Sequence, residues 1–432
     1  MKAIQAVRGT RDILPPETEL WNHIEATVRR VFARYCFGEI RTPIFEDTQL
    51  FSRSVGEETD IVSKEMYTWE DRARAQSEKA QSLTLRPENT AGVVRAYIEH
   101  KLGETGLLQK LYYIGPQFRR ERPQKGRYRQ FYQIGAEVIG PSSAGSESPL
   151  RDAEVLEMLS TLLGELGIAD WKLYLNSVGS ASDRPRYVLA LQEALKEIAP
   201  KLCADCQRRA QTNPLRVLDC KVPEDQPFIE TLPKIADFLD ADSQAHFAQV
   251  CAALDACGVP YTVNPRLVRG LDYYTRTTFE FVHTGLGAQN ALLGGGRYDG
   301  LSEAIGGPKA PGIGFAMGAD RLVLTLQAQR ESQGVAAAAS LADAYIAPLG
   351  EAQQVQALVL ARELRQAGLR VELGDGSFRI KKSFEMGNRL ARRIVLFGEE
   401  EALSGIVTVK DFASGVQTKV PRSELAQALQ QK

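Results

Sequence analysis

The sequence predicts an α+β chain in three parts: a body mixing strands and helices, a helical insertion inside it, and a small α/β domain at the C-terminal end. Three observations predict this. Segments 111–114 and 130–139 alternate apolar and polar residues, as half-buried strands do. Residues from about 178 to 255 are mostly polar with helical periodicity. Beyond a small-residue stretch at 331–343, short strand and helix patterns alternate, an order that suggests a largely parallel sheet.

The elements follow in order. Residues 21–33 read as an amphipathic helix and 39–45 as an extended segment ending near Pro43. A loop rich in Ser, Gly and Pro at 140–149 leads to a helix with Leu156, Leu159, Leu163 and Leu166 on one face, closed by Gly167. Residues 192–198 and 235–254 are the clearest helices of the insertion. Strand signals resume at Tyr261, and a Gly-rich segment runs to Gly318. The stretch at 331–343 reads as a linker. After it come a strand at 344–347, a helix at 355–367 closed by Gly368, a strand at 370–373, a basic helix at 380–390 and a strand at 394–397. The expected bodies are therefore 1–177 with 256–330, the insertion 178–255, and 344–432.

Composition narrows the function. A hydrophobic share of 44% and a charged share of 25% are those of a globular chain. No apolar run approaches the ~20 residues of a membrane helix, and the N-terminus lacks an apolar signal core, so a cytoplasmic protein without membrane contact is expected. Six cysteines in a chain of 432 residues do not make a disulfide framework. His23, His100, His246 and His283 are scattered, which argues against histidine-based catalysis. With a net charge of −1, any nucleic-acid surface must come from local patches.

The densest patch packs six cations into the eleven residues from Arg119 to Arg129. A solvated hairpin reads the same way. Arginine outnumbers lysine, however, which suits bidentate phosphate recognition. Phe118, Tyr128 and Phe131 interleave with the cations, which suits stacking on a purine. The glycines at 312–318 do not follow the dinucleotide-binding spacing, and the run at 294–296 lacks the Lys-Ser/Thr of a phosphate-binding loop.

Residues 115–131 resemble motif 2 of class II aminoacyl-tRNA synthetases, residues 41–46 resemble motif 1, and residues 312–322 resemble motif 3. Residues 269–274 (Arg-Gly-Leu-Asp-Tyr-Tyr) and 294–301 (Gly-Gly-Gly-Arg-Tyr-Asp-Gly-Leu) resemble two signatures of the histidyl-tRNA synthetase family, in its bacterial form. The resemblance implies a class II catalytic core, an antiparallel sheet flanked by helices, followed by an anticodon-binding domain. It implies a ligase that activates L-histidine with ATP and Mg2+, transfers it to histidine tRNA, and works as a homodimer through motif 1. Arg119 and Arg269 would hold the α-phosphate from opposite faces, with Arg119 also on the amino-acid carboxylate. Glu121 would read the adenine amino group, Phe131 would stack on adenine, and Arg321 would lie along the triphosphate. Gln124 and Arg129 would reach the extra 5′ guanosine of histidine tRNA.

For histidine itself, Glu88, Asn89 and Thr90 follow a strand and suit an α-ammonium group, although the same residues also make an ordinary acidic helix start. Gln133, Gly135 and Glu137 should share one strand face. In the family resemblance Gln133 binds the ammonium group. Neutral imidazole offers one donor and one acceptor, and Glu137 with Tyr274 fit those roles beside Tyr273. Asp272 receives no role. Cys203, Cys206 and Cys220 could be thiolates of a zinc site with Cys251 or Cys257 as fourth ligand, or simply reduced cysteines. Arg379, Lys381, Lys382, Arg389, Arg392 and Arg393 make the C-terminal domain locally basic. A non-catalytic, histidine-binding regulatory paralogue of ATP phosphoribosyltransferase is the alternative. The intact motifs and the chain beyond the linker argue against it.

Overall fold

A computed structural model of the chain describes residues 3–56, 59–71, 80–124, 126–268, 273–283, 285, 290–334 and 341–431. Arg269 and Asp272, most of the loop at 285–291 and the middle of the linker therefore lie outside the described residues. The chain divides into two units, 1–335 and 336–432. Among the described residues, no helix is long and apolar enough to cross a membrane.

The first unit opens with α1 (Glu17–Arg34), whose buried stripe Leu20, Ile24, Val28 and Val31 is the expected amphipathic face. The segment expected to be one extended stretch splits. Strand β1 (Gly38–Glu39) joins the large sheet, and β2 (Phe45–Asp47) joins a separate three-stranded sheet. After α2 (Thr48–Val55), β3 (Tyr67–Asp71) and β4 (Gln81–Leu85) complete that small sheet in the order β2-β4-β3. Then come α3 (Thr90–Glu99), β5 (Gln109–Phe118), β6 (Gln130–Ile139), α4 (Pro149–Glu165) and β7 (Trp171–Ser177). The insertion contributes α5 (Asp183–Ile198), α6 (Ala204–Thr212), α7 (Gln226–Ile229) and α8 (Ala241–Ala256). The body closes with β8 (Thr262–Val263), β9 (Thr275–His283), β10 (Ala291–Arg297), α9 (Leu301–Ala304), β11 (Gly312–Gly318) and α10 (Ala319–Ser332).

The large sheet has eight strands in the order β1-β5-β6-β11-β10-β9-β7-β8. Its outermost pairs, β1 with β5 and β7 with β8, are parallel. Every inner pair is antiparallel. Alternation sorts its side chains. Ile134, Ala136 and Val138 of β6, with Ile313, Phe315 and Met317 of β11, pack under residues of α1, α4, α8 and α10. Gln133, Gly135 and Glu137 face the other side, as the two-residue period requires.

Two expectations about the insertion change. The helix read at 235–254 is a short 3-10 turn, Ile235–Phe238, followed by α8, whose N-cap Asp240 accepts from the Ser243 amide at 2.7 Å. That helix lays Val250 and Leu254 against the large core, whereas Tyr187, Leu191, Cys206 and Val217 form a separate small core.

The second unit holds β12 (Ala344–Pro348), α11 (Gln354–Gln366), β13 (Val371–Leu373), α12 (Ile380–Leu390), β14 (Arg393–Phe397), α13 (Glu399–Ser404), β15 (Ile406–Asp411), β16 (Gln417–Pro421) and α14 (Leu425–Gln430). Its sheet runs β13-β12-β14-β15-β16. The first three strands are parallel, as expected, but β15 and β16 return antiparallel and make the sheet mixed. Arg379, Lys381, Lys382, Arg389 and Arg392 are exposed. Arg393 is not part of that surface: it pairs with Asp411 at 3.0 Å and donates to the Leu429 and Gln431 carbonyls.

Candidate active site

A cavity of about 240 Å³ opens on the sheet face away from the main helical layer. Its walls come from the start of α3, the hairpin joining β5 to β6, residues 273–274, and the facing ends of β10 and β11.

The start of α3 supplies one end. The Glu88 carboxylate accepts from the Thr90 and Ala91 amides at 2.8 and 3.0 Å. It therefore satisfies orphan helix donors, as the acidic-start reading expects, and it also lines the cavity. Burial pushes its carboxyl above the usual range, against the lowering effect of those amides and of Arg119. Asn89 is not brought to the cavity. Its side chain turns away and accepts from Thr42 at 2.6 Å, tying α3 to the segment that resembles motif 1.

Thr90 links the cavity to a buried cluster. Its hydroxyl donates to Glu137 Oε1 at 2.8 Å, and the Tyr298 hydroxyl donates to Glu137 Oε2 at 2.7 Å. Glu137 is fully buried, not on a half-exposed face. Burial pushes its carboxyl up to about 8; the two hydroxyls pull it down and the nearby Glu88 charge pushes it further up. Tyr273 and Tyr274 stack obliquely with ring centres 4.8 Å apart, and Tyr273 meets Tyr298 edge-on at 6.0 Å. Both Tyr273 and Tyr274 line the cavity. The sequence pattern gives Tyr298 no role, although it sits in the Gly294–Leu301 signature; its position beside Glu137 is a tertiary fact.

The strand face holds polar groups without partners among the described residues. They are Gln133 Oε1, both amide atoms of the fully buried Gln117, and the Tyr113 hydroxyl. Native interiors rarely leave such groups unsatisfied, and Gln133, which lines the cavity, offers an acceptor that a polar ligand can meet. Gln117 lies inside the Gly-Pro-Gln-Phe run before the basic loop, where nothing in the sequence pattern marked it out.

The basic hairpin supplies the charges. Arg119 lays its guanidinium over the Phe131 ring at 5.3 Å, and its Nε donates to the Pro87 carbonyl at 2.9 Å. Glu121 stands between Arg119 at 3.8 Å and Arg127 at 3.2 Å. Arg321 enters from α10 and donates to the Ala291 carbonyl; burial lowers its pKa. All five of these side chains line the cavity. Gln124 and Arg127 close the hairpin tip through their backbones at 3.1 and 2.9 Å. Arg129 is absent from the cavity lining: its amide donates to the Gly9 carbonyl at 2.7 Å and its guanidinium to the Arg8 carbonyl at 3.2 Å.

Behind the end of β10, Arg297 is fully buried against Asp152, with further bonds to the Ser146 carbonyl at 2.8 Å and to Asp299 at 3.2 Å. His246 of α8 reaches the same Asp152 at 2.8 Å. Burial alone would raise the Asp152 carboxyl, but Arg297 and His246 more than reverse this. This ionic knot anchors the loop after β6 and the strand that presents Tyr298.

Comparison with known proteins gives the family. A family profile described as Histidyl-tRNA synthetase matches residues 9–322, and one described as Anticodon binding domain matches residues 343–432. The histidine–tRNA ligase of Koribacter versatilis (strain Ellin345) is 70% identical over 424 residues, 98% of this chain and 95% of that one. That of Solibacter usitatus (strain Ellin6076) is 54% identical over 428 residues, 99% of each chain. Among solved structures, apo S. aureus histidyl-tRNA synthetase is similar with a TM-score of 0.79 and 37% identity, covering 99% of this chain and 100% of that one. The catalytic-core and C-terminal expectations are borne out, and the chain belongs to the histidyl-tRNA synthetase family.

Proposed function

We propose that this chain activates L-histidine with ATP to histidyl-adenylate and transfers the histidyl group to histidine tRNA, with the residue roles that the family resemblance implies. The observation that carries the reading is Glu137. A buried carboxylate held by Thr90 and Tyr298 keeps about half of its roughly four lone-pair sites for an imidazole N–H. A pocket built on such hydrogen bonds can reject analogues by ~10⁴–10⁵.

Glu88, Thr90 and the unpartnered Gln133 Oε1 suit the α-ammonium group. Tyr273 and Tyr274 wall the ring, and the Tyr274 hydroxyl takes its second nitrogen. Phe131, already under the Arg119 guanidinium, provides a stacking face for adenine, with Glu121 as acceptor for its amino group. The histidine carboxylate attacks the α-phosphate in line, while Arg119 and Arg269 hold the reacting groups and Arg321 holds the triphosphate tail. No covalent enzyme intermediate forms; the enzyme contributes positioning and charge. The Glu280 carboxylate lines an adjoining cavity and would suit a hard divalent cation. Mg2+ accompanying ATP would supply neutralising charge to its phosphates. Gln124 and Arg129 contact the acceptor end of the tRNA, the insertion clamps the acceptor stem, and the second unit binds the anticodon.

Exposed Phe45 and Trp69 on the small sheet, with rings 6.1 Å apart, and Ile44 just before it support a homodimer through the segment resembling motif 1. A cytoplasmic location fits this activity. The test is ATP–pyrophosphate exchange with each amino acid in turn, followed by charging of histidine tRNA. Exchange only with histidine, lost in Arg269→Ala while the fold persists, is expected. Histidine binding without exchange would instead support the regulatory paralogue, which the anticodon-domain match at 343–432 disfavours.

A further inference from the structure

Three cysteines and one aspartate of the insertion converge on a point. Cys203 is the N-cap residue of α6 and Cys206 lies in its first turn, so the two-residue spacing brings both thiols to one helix end. Cys220 ends the 3-10 turn Pro214–Asp219, and Asp225 ends the next one, Pro223–Asp225. One ligand atom from each of the four lies within 4.8 Å of all the others.

The spacing suits a metal. Cys203 Sγ and Cys220 Sγ are 3.9 Å apart, and Cys220 Sγ lies 3.2 Å from Asp225 Oδ2. A tetrahedral zinc site, with Zn–S of about 2.3 Å and Zn–O of about 2.0 Å, needs edges of about 3.8 Å and about 3.5 Å. Cys206, Cys220 and Asp225 are buried, at 0%, 8% and 2% exposure. The buried Asp225 carboxylate accepts from the Cys220 thiol at 3.2 Å, so a metal ion replacing that proton would keep both groups partnered. Backbone amides already orient the donors: Val222 N–H points at Cys220 Sγ at 3.4 Å, and Cys203 N–H at the Asp225 carboxylate at 3.0 and 3.2 Å. Orientation of ligands by hydrogen bonds is what metal sites require.

We propose that Cys203, Cys206, Cys220 and Asp225 bind one structural zinc ion. Thiolate sulfur selects zinc over the magnesium that serves ATP. The ion ties α6 to the turn carrying Arg216 and Leu218, inside the insertion's own core. That turn forms a wall of the cavity shared with Arg119 and Glu121, where Cys220 and Lys221 also lie. Zinc therefore holds the insertion's face toward the adenylation site. Cys251, considered from sequence as a fourth ligand, packs beside the large core instead, and Cys257 is exposed.

The experiment uses the full chain, purified untagged in reducing, chelator-free buffer. One zinc per chain by elemental analysis is expected, with three thiols that react with a thiol reagent only after a strong chelator is added. Cobalt substitution should give a thiolate-to-cobalt charge-transfer band. Asp225→Asn, which keeps the carboxylate's shape, should retain that band at altered position and hold the ion more weakly. Chelation should open residues 203–225 to protease while leaving the catalytic body resistant. A folded, reduced chain that carries no zinc and gives no cobalt band overturns the proposal. So does a Cys203–Cys220 disulfide in protein kept under reducing conditions. Histidine specificity in pyrophosphate exchange is scored separately, so failure of the zinc site and failure of the proposed activity are distinguishable.

Discussion

Gly314 of β11 stands directly opposite Glu137 of β6, and a Cβ at position 314 would lie 1.7 Å from Glu137 Oε2. The glycine is what leaves room for a carboxylate under the site. Gly296 does the same for Tyr274, whose ring carbon would be 2.7 Å from an added Cβ. Gly296 and Gly314 thus make space for neighbouring side chains.

Gly314→Ala must push Glu137 off its Thr90 and Tyr298 partners. Overpacking of this kind costs ~1–3 kcal/mol of stability. The expected result is a cooperative but lower melting transition, with histidine-dependent pyrophosphate exchange nearly abolished. Near-normal exchange would mean that Glu137 is not the imidazole partner.

The raised Glu137 carboxyl gives a pH dependence. A carboxyl at about 8 when folded, against an ordinary value of 4.5, favours the protonated folded form. Its contribution to stability is complete below the unfolded value and is lost as pH rises through about 8. Glu137→Gln should flatten unfolding free energy against pH across that window. Calorimetry of histidine binding near pH 7, in buffers of different ionisation enthalpy, should show proton release in the parent and none in the variant.

Tyr298→Phe removes a hydroxyl that lowers the Glu137 carboxyl, so the carboxyl rises further. Losing a hydrogen bond to a charged group is worth ~1.5–3 kcal/mol, so histidine KM should rise by at least about tenfold. The KM for ATP should hold, and raising the assay pH should recover part of the loss. Equal changes in both KM values would place Tyr298 outside the histidine pocket.

Asp152→Asn strands the buried Arg297 guanidinium. Removing one partner of a buried pair typically costs ~3–5 kcal/mol. Chemical denaturation should show a lower midpoint with unchanged slope. A midpoint close to the parent's would mean that the knot behind β10 contributes little.

The basic surface of α12 should make tRNA binding fall steeply with salt, by a slope set by the phosphates neutralised. Charge reversal of exposed Arg389 should reduce that slope, whereas Arg393→Gln should act on stability through its lost bonds to Asp411 and the C-terminal carbonyls.

The sequence alone determined the local chemistry: the amphipathic helices, the strands β5 and β6, the arginine-rich hairpin between them, and the signatures that carry the family. Periodicity and motif spacing are properties of neighbours along the chain, so they are legible there. It did not reveal that the extended stretch near Pro43 divides between two sheets, that α8 joins the main core, or that β15 and β16 turn antiparallel. Nor did it separate Asn89, turned toward Thr42, from Glu88 and Thr90 beside it. Those outcomes rest on which strand pairs with which and on the packing of distant faces. The same reason hid Tyr298 as the partner of Glu137, Gly314 as its clearance, and Asp225 as the fourth member of the cysteine cluster. Each relationship joins residues that only tertiary pairing brings within bonding distance.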